Sequence, residues 1–387
     1  MKKLALIATL FLVTPLASAA EAGGGGCSTC TSGSAVPGSR YLTLRIEGQS
    51  GPLALYDMVT GRRHVSLPSG LVSADGTTFV SVRTLGARTT RITRYALPSG
   101  HVVGTTKLPG RESLAAISPN GRRLLLRVVA PGRSTRFAVV DGPRTTRLFS
   151  LRGDYEVETL SPDGRRVFLV HWADGRYDLR NYDLRTNRLA TTPTRSSETG
   201  AVEKMQGIPS VGLASRDGAW LHTLYVKGRG LAFVHALDLR AGVGHCIDLE
   251  LPAVDPEAIG AAALTLSPDE RTLYIAVPLA GRVFSVDVGR LEVTHTLRFR
   301  RPVLSTLGVN PSGALSPNGR MLYVAAGTSL WALDTAAWRL TGPRAVGAGE
   351  RQQAMATGVS PDGRRVVVLR SDRKLVARDA ATLRRIR

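Results

Sequence analysis

A tetrapeptide close to Ser-Pro-Asp-Gly recurs seven times along the chain, and this repeat limits the possible folds more than any other feature. Consecutive copies are 43 to 54 residues apart, which is close to the length of one β-propeller blade. Pro presets φ, Asp or Asn bonds to its own backbone, and Gly takes the left-handed conformation that closes a tight hairpin. The copies begin at Ser73, Ser118, Ser161, Ser215, Ser267, Ser316 and Ser360.

Short apolar runs flank each copy and predict the strands of a four-stranded unit, labelled a to d from the N-terminal side. Residues 114–117 precede the copy at Ser118, and residues 124–129 follow it. A third run then ends in Asp, as at Asp141, and leads into a second turn. Because Asp at the start of a turn accepts backbone N–H groups, these aspartates are predicted to be structural.

The number of blades depends on the residues before the first copy. Residues 40–67 carry the pattern of strands b, c and d, whereas strand a and its turn are degraded or absent in 34–39. Counting this unit predicts eight blades, in preference to seven. The predicted fold is therefore an all-β propeller of four-stranded antiparallel blades, in which closure hides most strand edges.

Two sets of residues resemble known bacterial repeats. Ser-Pro-Asp-Gly-Arg-Arg at 161–166 and 360–365, with Leu-Tyr-Ile-Ala at 273–276 and Leu-Tyr-Val-Ala at 322–325, is similar to the YVTN-type and PD40 (TolB-like) repeats. The resemblance covers roughly residues 40 to 387. It implies an extracytoplasmic, WD40-like propeller from a family that includes binding modules, surface-layer proteins, lactonases and cofactor-binding members. No active-site motif of those enzymes is matched, so the resemblance assigns neither a catalytic residue nor a cofactor.

The N-terminal residues predict export. Lys2 and Lys3 precede an apolar run at 4–13, and Ala17-Ser18-Ala19 is a small-residue cleavage site. The run is too short to span a bilayer, and no later stretch is apolar enough. The expected organisation is a signal peptide at 1–19, a flexible Gly/Ser-rich linker at 20–38 and one propeller domain at 39–387, with no transmembrane segment in the mature chain.

The three cysteines do not form a metal or redox motif. Cys27 and Cys30 make a C-x-x-C within the Gly/Ser-rich stretch, where we expect a local disulfide or an attachment point. Lipidation of Cys27 is the alternative, although Gly24 stands where a lipidated cysteine usually has an aliphatic residue. Cys246 stands alone, and the sequence leaves its burial and reactivity open. A zinc site would need further ligands, and none is spaced for it.

The charge of the chain bears on its partners. The formal net charge is +21, which favours anionic polymers of the cell envelope, with another envelope protein as the alternative partner. Nucleic acid is disfavoured, because the basic residues are spread through the turns and aromatic residues make up only 5%.

The longest predicted loops join strand d of one blade to strand a of the next, at 191–210, 252–263 and 300–314. Binding residues concentrate on such loops, so this face is the favoured site. Its candidate acidic residues are Asp154, Glu156, Glu158, Asp255 and Glu257. The first three alternate and would share one side of a strand. The sequence predicts an exported, non-enzymatic binding or scaffold protein of the cell envelope. The alternative is a lactonase-like or other hydrolase that uses the central channel.

Overall fold

Eight consecutive sheets, antiparallel apart from one parallel strand pair, make up the described part of the molecule and form a β-propeller. The computed structural model describes residues 32–34, 39–45, 51–86, 88–128, 134–173, 176–299, 311–347 and 352–386. The predicted all-β fold and the count of eight blades are confirmed. The predicted signal peptide, Cys27 and Cys30 lie outside the described residues.

The first four blades follow the chain in order. Blade 1 contains β1 (Ser32–Ser34), β2 (Tyr41–Arg45), β3 (Pro52–Asp57) and β4 (Arg63–Ser69). Blade 2 contains β5 (Leu71–Val72), β6 (Thr78–Leu85), β7 (Thr89–Ala96) and β8 (Val102–Pro109). Blade 3 contains β9 (Glu112–Ile117), β10 (Arg123–Val128), β11 (Ser134–Asp141) and β12 (Arg144–Arg152). Blade 4 contains β13 (Asp154–Leu160), β14 (Arg166–Ala173), β15 (Arg176–Asp183) and β16 (Arg188–Thr191).

The other four blades complete the ring. Blade 5 contains β17 (Thr194–Ser196), β18 (Ile208–Ala214), β19 (Trp220–Gly228), β20 (Leu231–Asp238) and β21 (Val243–Glu250). The helix α1 (Pro256–Gly260) then leads to blade 6, with β22 (Ala263–Leu266), β23 (Thr272–Val277), β24 (Arg282–Asp287) and β25 (Glu292–Arg298). Blade 7 contains β26 (Ser312–Leu315), β27 (Met321–Ala326), β28 (Ser329–Asp334) and β29 (Arg339–Ala345). Blade 8 contains β30 (Ala354–Val359), β31 (Arg365–Arg370) and β32 (Leu375–Asp379).

Three blades depart from the simple pattern. In blade 1, strand a is β1 at Ser32–Ser34, upstream of the degraded segment 34–39 in which the sequence pattern had placed it. In blade 5, the extra strand β17 pairs in parallel with the outer strand β21. In blade 8, the described fourth strand is reduced to a bridge between Arg378 and Arg385. The closing blade is thus the least complete of those described.

The repeated tetrapeptide forms the a–b turns through one hydrogen-bond pattern. In the copy at Ser161, the Ser161 hydroxyl donates to Asp163 Oδ1 at 2.6 Å and accepts the backbone N–H of Arg166 at 2.9 Å. Asp163 Oδ1 also accepts the N–H of Arg165, and Gly164 closes the turn at φ +65°. Six other copies repeat the bond between serine and Asp or Asn, at Ser73, Ser118, Ser215, Ser267, Ser316 and Ser360.

The aspartates at the ends of the c strands are structural, as predicted. Asp334 Oδ1 accepts the backbone N–H groups of Ala336 and Ala337 at 2.9 and 2.8 Å. The same pattern recurs at Asp57, Asp183, Asp238 and Asp287. Asp141 differs, because it starts a tighter hairpin and instead pairs with Arg123 at 2.6 Å.

Apolar clusters fill the interfaces between neighbouring blades and close the ring. The interface that closes it joins blade 1, through Leu42, Leu44 and Tyr56, to Val367 and Leu369 of blade 8. Similar clusters lie at all seven remaining interfaces between adjacent blades. Burial of these side chains supplies the main stabilisation of the ring.

Helical structure is sparse. In the described ranges, α1 and a 3-10 turn at Pro278–Ala280 are helical, and no helix there is long and apolar enough to cross a membrane.

Candidate functional site

Inner strands of several blades, together with one face of blade 1, line a half-open cavity of about 510 Å³. Its wall includes residues from blades 1, 2, 5, 6 and 7, so the cavity belongs to the central channel and the adjoining face of blade 1. Most of the wall is apolar, with Leu53, Leu71, Val211 and Leu264 among its residues. Concave, largely apolar sites of this size with a few polar groups are typical of small-molecule binding.

Arg45 is the cationic side chain of that wall. It ends β2, where Leu42 and Leu44 point to blade 8 and the alternate residues point away from it. Its Nη1 donates to the carbonyl oxygen of Gly70 at 2.7 Å, and its guanidinium carbon lies 5.7 Å from the ring centre of Phe79. Burial lowers the pKa of Arg45 to about 10. The fold therefore holds a positive charge at the cavity in a poorly hydrated place.

Glu158 lies on the inner strand of blade 4 and lines a second, smaller cavity of about 140 Å³. Burial, with a smaller contribution from the charge of Glu156, raises the pKa of Glu158 to about 7, and the Thr223 hydroxyl partly opposes this shift. Its Oε1 atom is buried without a hydrogen-bond partner in the described part of the chain. The carboxyl can therefore change its protonation state near neutral pH.

More buried polar groups from blade 5 face blade 4 beside Glu158. Thr223 pairs in register with His235, and His235 pairs with Cys246. Neither ring nitrogen of His235 has a hydrogen-bond partner among the described residues, and burial lowers the pKa of this histidine to about 3. Burial also raises the pKa of the Cys246 thiol to about 12, with Glu203 adding to the shift. Cys246 is thus a buried, protonated thiol.

Gly244 makes room for this group. A Cβ atom there would lie 2.2 Å from Nε2 of His235 and 3.1 Å from Oγ1 of Thr194. Oγ1 of Thr194 is another buried atom that lacks a partner in the described residues. Buried polar atoms normally have a partner, so these neighbours form a polar spot within an otherwise apolar blade interface.

The two predicted partners of Glu158 on β13 are more exposed. Asp154 begins the strand and lies 3.4 Å from Arg127, with 66% of its side chain exposed. Glu156 is partly buried and close enough for its charge to affect Glu158. A β-bulge between Val157 and Thr159 ends the strict alternation that the sequence suggested. The structure thus brings Glu156 and Glu158 together, whereas Asp154 lies apart from them at the exposed start of the strand.

Asp255 and Glu257 lie elsewhere, at the start of α1 between blades 5 and 6. The side chain of Asp255 is 79% exposed and lies 3.9 Å from Nε of Arg229. Glu257 is exposed in the first turn of the helix. Neither residue lines the two cavities, so the predicted acidic candidates fall into two separate groups.

Sequence reasoning missed Arg45 and His235, although a signal for each existed. Arg45 alternates with Leu42 and Leu44, which indicated a side chain on the opposite side of the strand from the buried leucines. His235 stands inside the apolar run 232–237, which indicated a buried strand position. The sequence around Arg45 and His235 did not show which residues of a neighbouring blade each side chain would face.

The described ranges contain no cluster of metal-binding side chains. No three His, Cys, Asp or Glu residues come together there in a group that could hold a metal ion.

No protein family matches the sequence, and no curated protein matches it. Solved structures match its fold. NirN, a dihydro-heme d1 dehydrogenase solved in complex with DHE, is 14% identical, with a TM-score of 0.51 over 91% of this chain and 73% of that one. The Dos1 propeller is 11% identical, with a TM-score of 0.51 over 91% and 92% of the two chains. At these identities the similarity establishes the propeller fold alone.

Proposed function

We propose that the protein is an extracytoplasmic binding propeller that takes a small organic ligand into its central channel. The observation that carries this proposal is the half-open cavity of about 510 Å³ lined by residues of blades 1, 2, 5, 6 and 7. It has the size and the mainly apolar wall of a small-molecule site, with a charged group at one place on the wall. NirN, which has a similar fold, was solved with a ligand, and a binding role is in keeping with that example.

The extracytoplasmic location rests on the sequence. The signal-peptide pattern at 1–19 and the resemblance to YVTN-type and PD40 repeats both support it. A second contact, with anionic polymers of the envelope, is supported by the net charge of +21 and by exposed arginines in the turns, such as Arg62, Arg122, Arg165 and Arg364. This contact would weaken as salt screens it, whereas binding of an apolar ligand in the channel would not.

A thermal-shift screen of the purified chain tests the proposal. Ligands that bind the native state raise the melting temperature by mass action. We expect shifts with small organic molecules, and those shifts should persist at high salt. Shifts with anionic polymers alone, lost at high salt, would instead support a scaffold that acts through its surface, and would contradict a role for the channel.

One observation favours a hydrolase as the second candidate. The Glu158 carboxyl has a pKa of about 7, lines a cavity and lies near the Thr223 hydroxyl. A carboxyl poised near neutral pH suits general acid–base chemistry. This candidate predicts hydrolysis of lactones or esters by the wild-type chain, with loss of turnover in Glu158→Gln and normal turnover in Glu257→Gln. Equal turnover in the wild type and Glu158→Gln would remove the candidate.

A further inference from the structure

We infer that Arg45 anchors an anion-binding subsite in the channel, where it holds the carboxylate or phosphate head of a ligand with an apolar body. This inference rests on the proposed channel function and deepens it by naming the chemical class of the ligand. Three features of Arg45 within the described residues support it: donors without an acceptor, a charge without a counterion, and the apolar wall beside it.

Some N–H donors of the Arg45 guanidinium have no acceptor among the described residues. An arginine carries five N–H donors in a planar fork. Nη1 uses its donors on two backbone carbonyls, those of Gly51 at 3.2 Å and Gly70 at 2.7 Å. Within the described part of the chain, Nε and Nη2 donate to no acceptor. These two groups form the edge of the fork that matches the two oxygens of a carboxylate or phosphate.

Among the residues that the structure describes, the charge of Arg45 also has no counterion. No described carboxylate lies within ion-pair distance of it, whereas the partly buried Arg370 pairs with Asp372 at 2.5 Å and Arg180 with Asp178 at 2.6 Å. Burial lowers the pKa of Arg45, and no carboxylate in the described ranges raises it again. Holding an unpaired charge in a poorly hydrated place is unfavourable, and a bound anion would relieve that cost.

The cavity beside Arg45 favours an apolar body on the same ligand. Leu53, Leu55, Leu71 and Val72 form the wall between blades 1 and 2 next to the guanidinium. Further round the channel, the wall continues with aliphatic residues of blades 5 and 6. A free inorganic anion would use the fork but would leave this surface without contacts, so the chemistry of the site fits an amphiphilic acid.

Arg45 also has a purely structural role open to it. Its bonds to Gly51 and Gly70 tie the b–c loop of blade 1 to the connection into blade 2. If that were its whole role, its substitution would lower stability but would not discriminate between ligands by their head group. The test therefore compares ligands with the same tail and different heads.

Isothermal titration with four probes makes this comparison: octanoate, octyl phosphate, octan-1-ol and octylamine. The proteins are the wild type, Arg45→Gln, Arg45→Lys and Arg370→Gln, the last being a control at a partly buried arginine outside the cavity. We expect the wild type to bind octanoate or octyl phosphate about tenfold or more tightly than octan-1-ol, because charge-assisted bonds are the stronger ones. The better of the two anions identifies the natural head group.

The variants separate the two roles of Arg45. Arg45→Gln should lose the preference for the anion and still bind octan-1-ol, Arg45→Lys should keep part of the preference, and Arg370→Gln should keep all of it. Equal binding of octanoate and octan-1-ol by the wild type would overturn the inference and leave the channel function standing. Binding of none of the four probes would overturn both. Melting temperatures without ligand establish that each variant folds.

Discussion

Acidic side chains in this molecule meet two opposite environments. Hydrogen bonds hold the pKa of the turn aspartates below its usual range, although burial opposes this. Asp334 accepts two backbone N–H groups, and Asp163 accepts the Ser161 hydroxyl and a backbone N–H. No backbone N–H in the described ranges donates to Glu158, and burial raises its pKa to about 7 against a smaller opposing effect of the Thr223 hydroxyl. The aspartates thus stabilise the fold when they are charged, whereas Glu158 does so when it is protonated.

Replacing Glu158 should therefore change how stability depends on pH. A carboxyl whose pKa is raised in the folded state favours folding at low pH, and that advantage is lost as the pH rises through about 7. Glu158→Gln should be more stable than the wild type at pH 8, by about 3 kcal/mol at most. The difference should vanish near pH 4. Urea unfolding at both pH values measures it.

The control for this experiment is Glu257→Gln, which changes an exposed carboxylate on α1. It should follow the wild type at both pH values. If Glu158→Gln did the same, the carboxyl would be hydrated in the folded state and the description of its surroundings would be wrong.

Single residues show where sequence reasoning stops. The alternation of acids at 154–158 identified Glu158 as a candidate, but its burial depends on a bulge and on Thr223 of the next blade. The sequence also did not show that no described carboxylate lies near the Arg45 guanidinium. Both properties arise from residues distant in sequence, which a pattern within one strand does not contain.

Turns and strands were far more predictable, because the determinants of a hairpin are local. Within each a–b turn, one serine hydroxyl both donates to the Asp or Asn side chain and accepts a backbone N–H. Strand a of blade 1 was harder to place, because its Ser-Gly-Ser sequence carries no apolar pattern. Only its pairing with β2 places it in the ring.

The serine of the turn should matter for stability. Ser161 is almost fully buried, and Ser161→Ala removes the acceptor of the Arg166 N–H and the donor to Asp163. An unsatisfied backbone N–H and the lost bond should lower the free energy of unfolding by about 1–3 kcal/mol. Chemical unfolding measures the loss. Ser150→Ala, on the exposed side of β12, should have almost no effect, and equal losses in the two variants would contradict this role of the turn.

At the scale of the whole molecule, apolar clusters at eight blade interfaces make one closed ring. The contact that closes it joins residues more than 300 positions apart, Leu42 of blade 1 and Val367 of blade 8. Seven copies of the repeat, counted together with the partial unit at 40–67, predicted the eight blades. Side-chain alternation along each strand determines which residues of a blade face the neighbouring blade. The cavity did not follow from the sequence, because its volume depends on how far the inner strands stand from the axis.

Ring closure can be tested by measuring the energetic coupling between blade 1 and blade 8. Leu42→Ala and Val367→Ala each truncate a fully buried side chain and should lower the free energy of unfolding by about 2–4 kcal/mol. Because the two residues share one cluster, the double variant should differ from the sum of the single effects by about 0.5 kcal/mol or more. Leu42→Ala with Val234→Ala of blade 5 should be additive. Additivity of both pairs would mean that the ring is open.

The channel as the binding site is tested most directly by blocking it. Ala214 on the inner strand of blade 5 lines both cavities, and Ala214→Trp would fill space there. Leu148→Trp places the same side chain on the outside of blade 3, where Leu148 is 70% exposed. Titration of both variants and the wild type with octanoate and octan-1-ol gives the answer. We expect Ala214→Trp to lose binding of both probes and Leu148→Trp to bind as the wild type does, whereas unchanged binding by a folded Ala214→Trp would contradict the channel site.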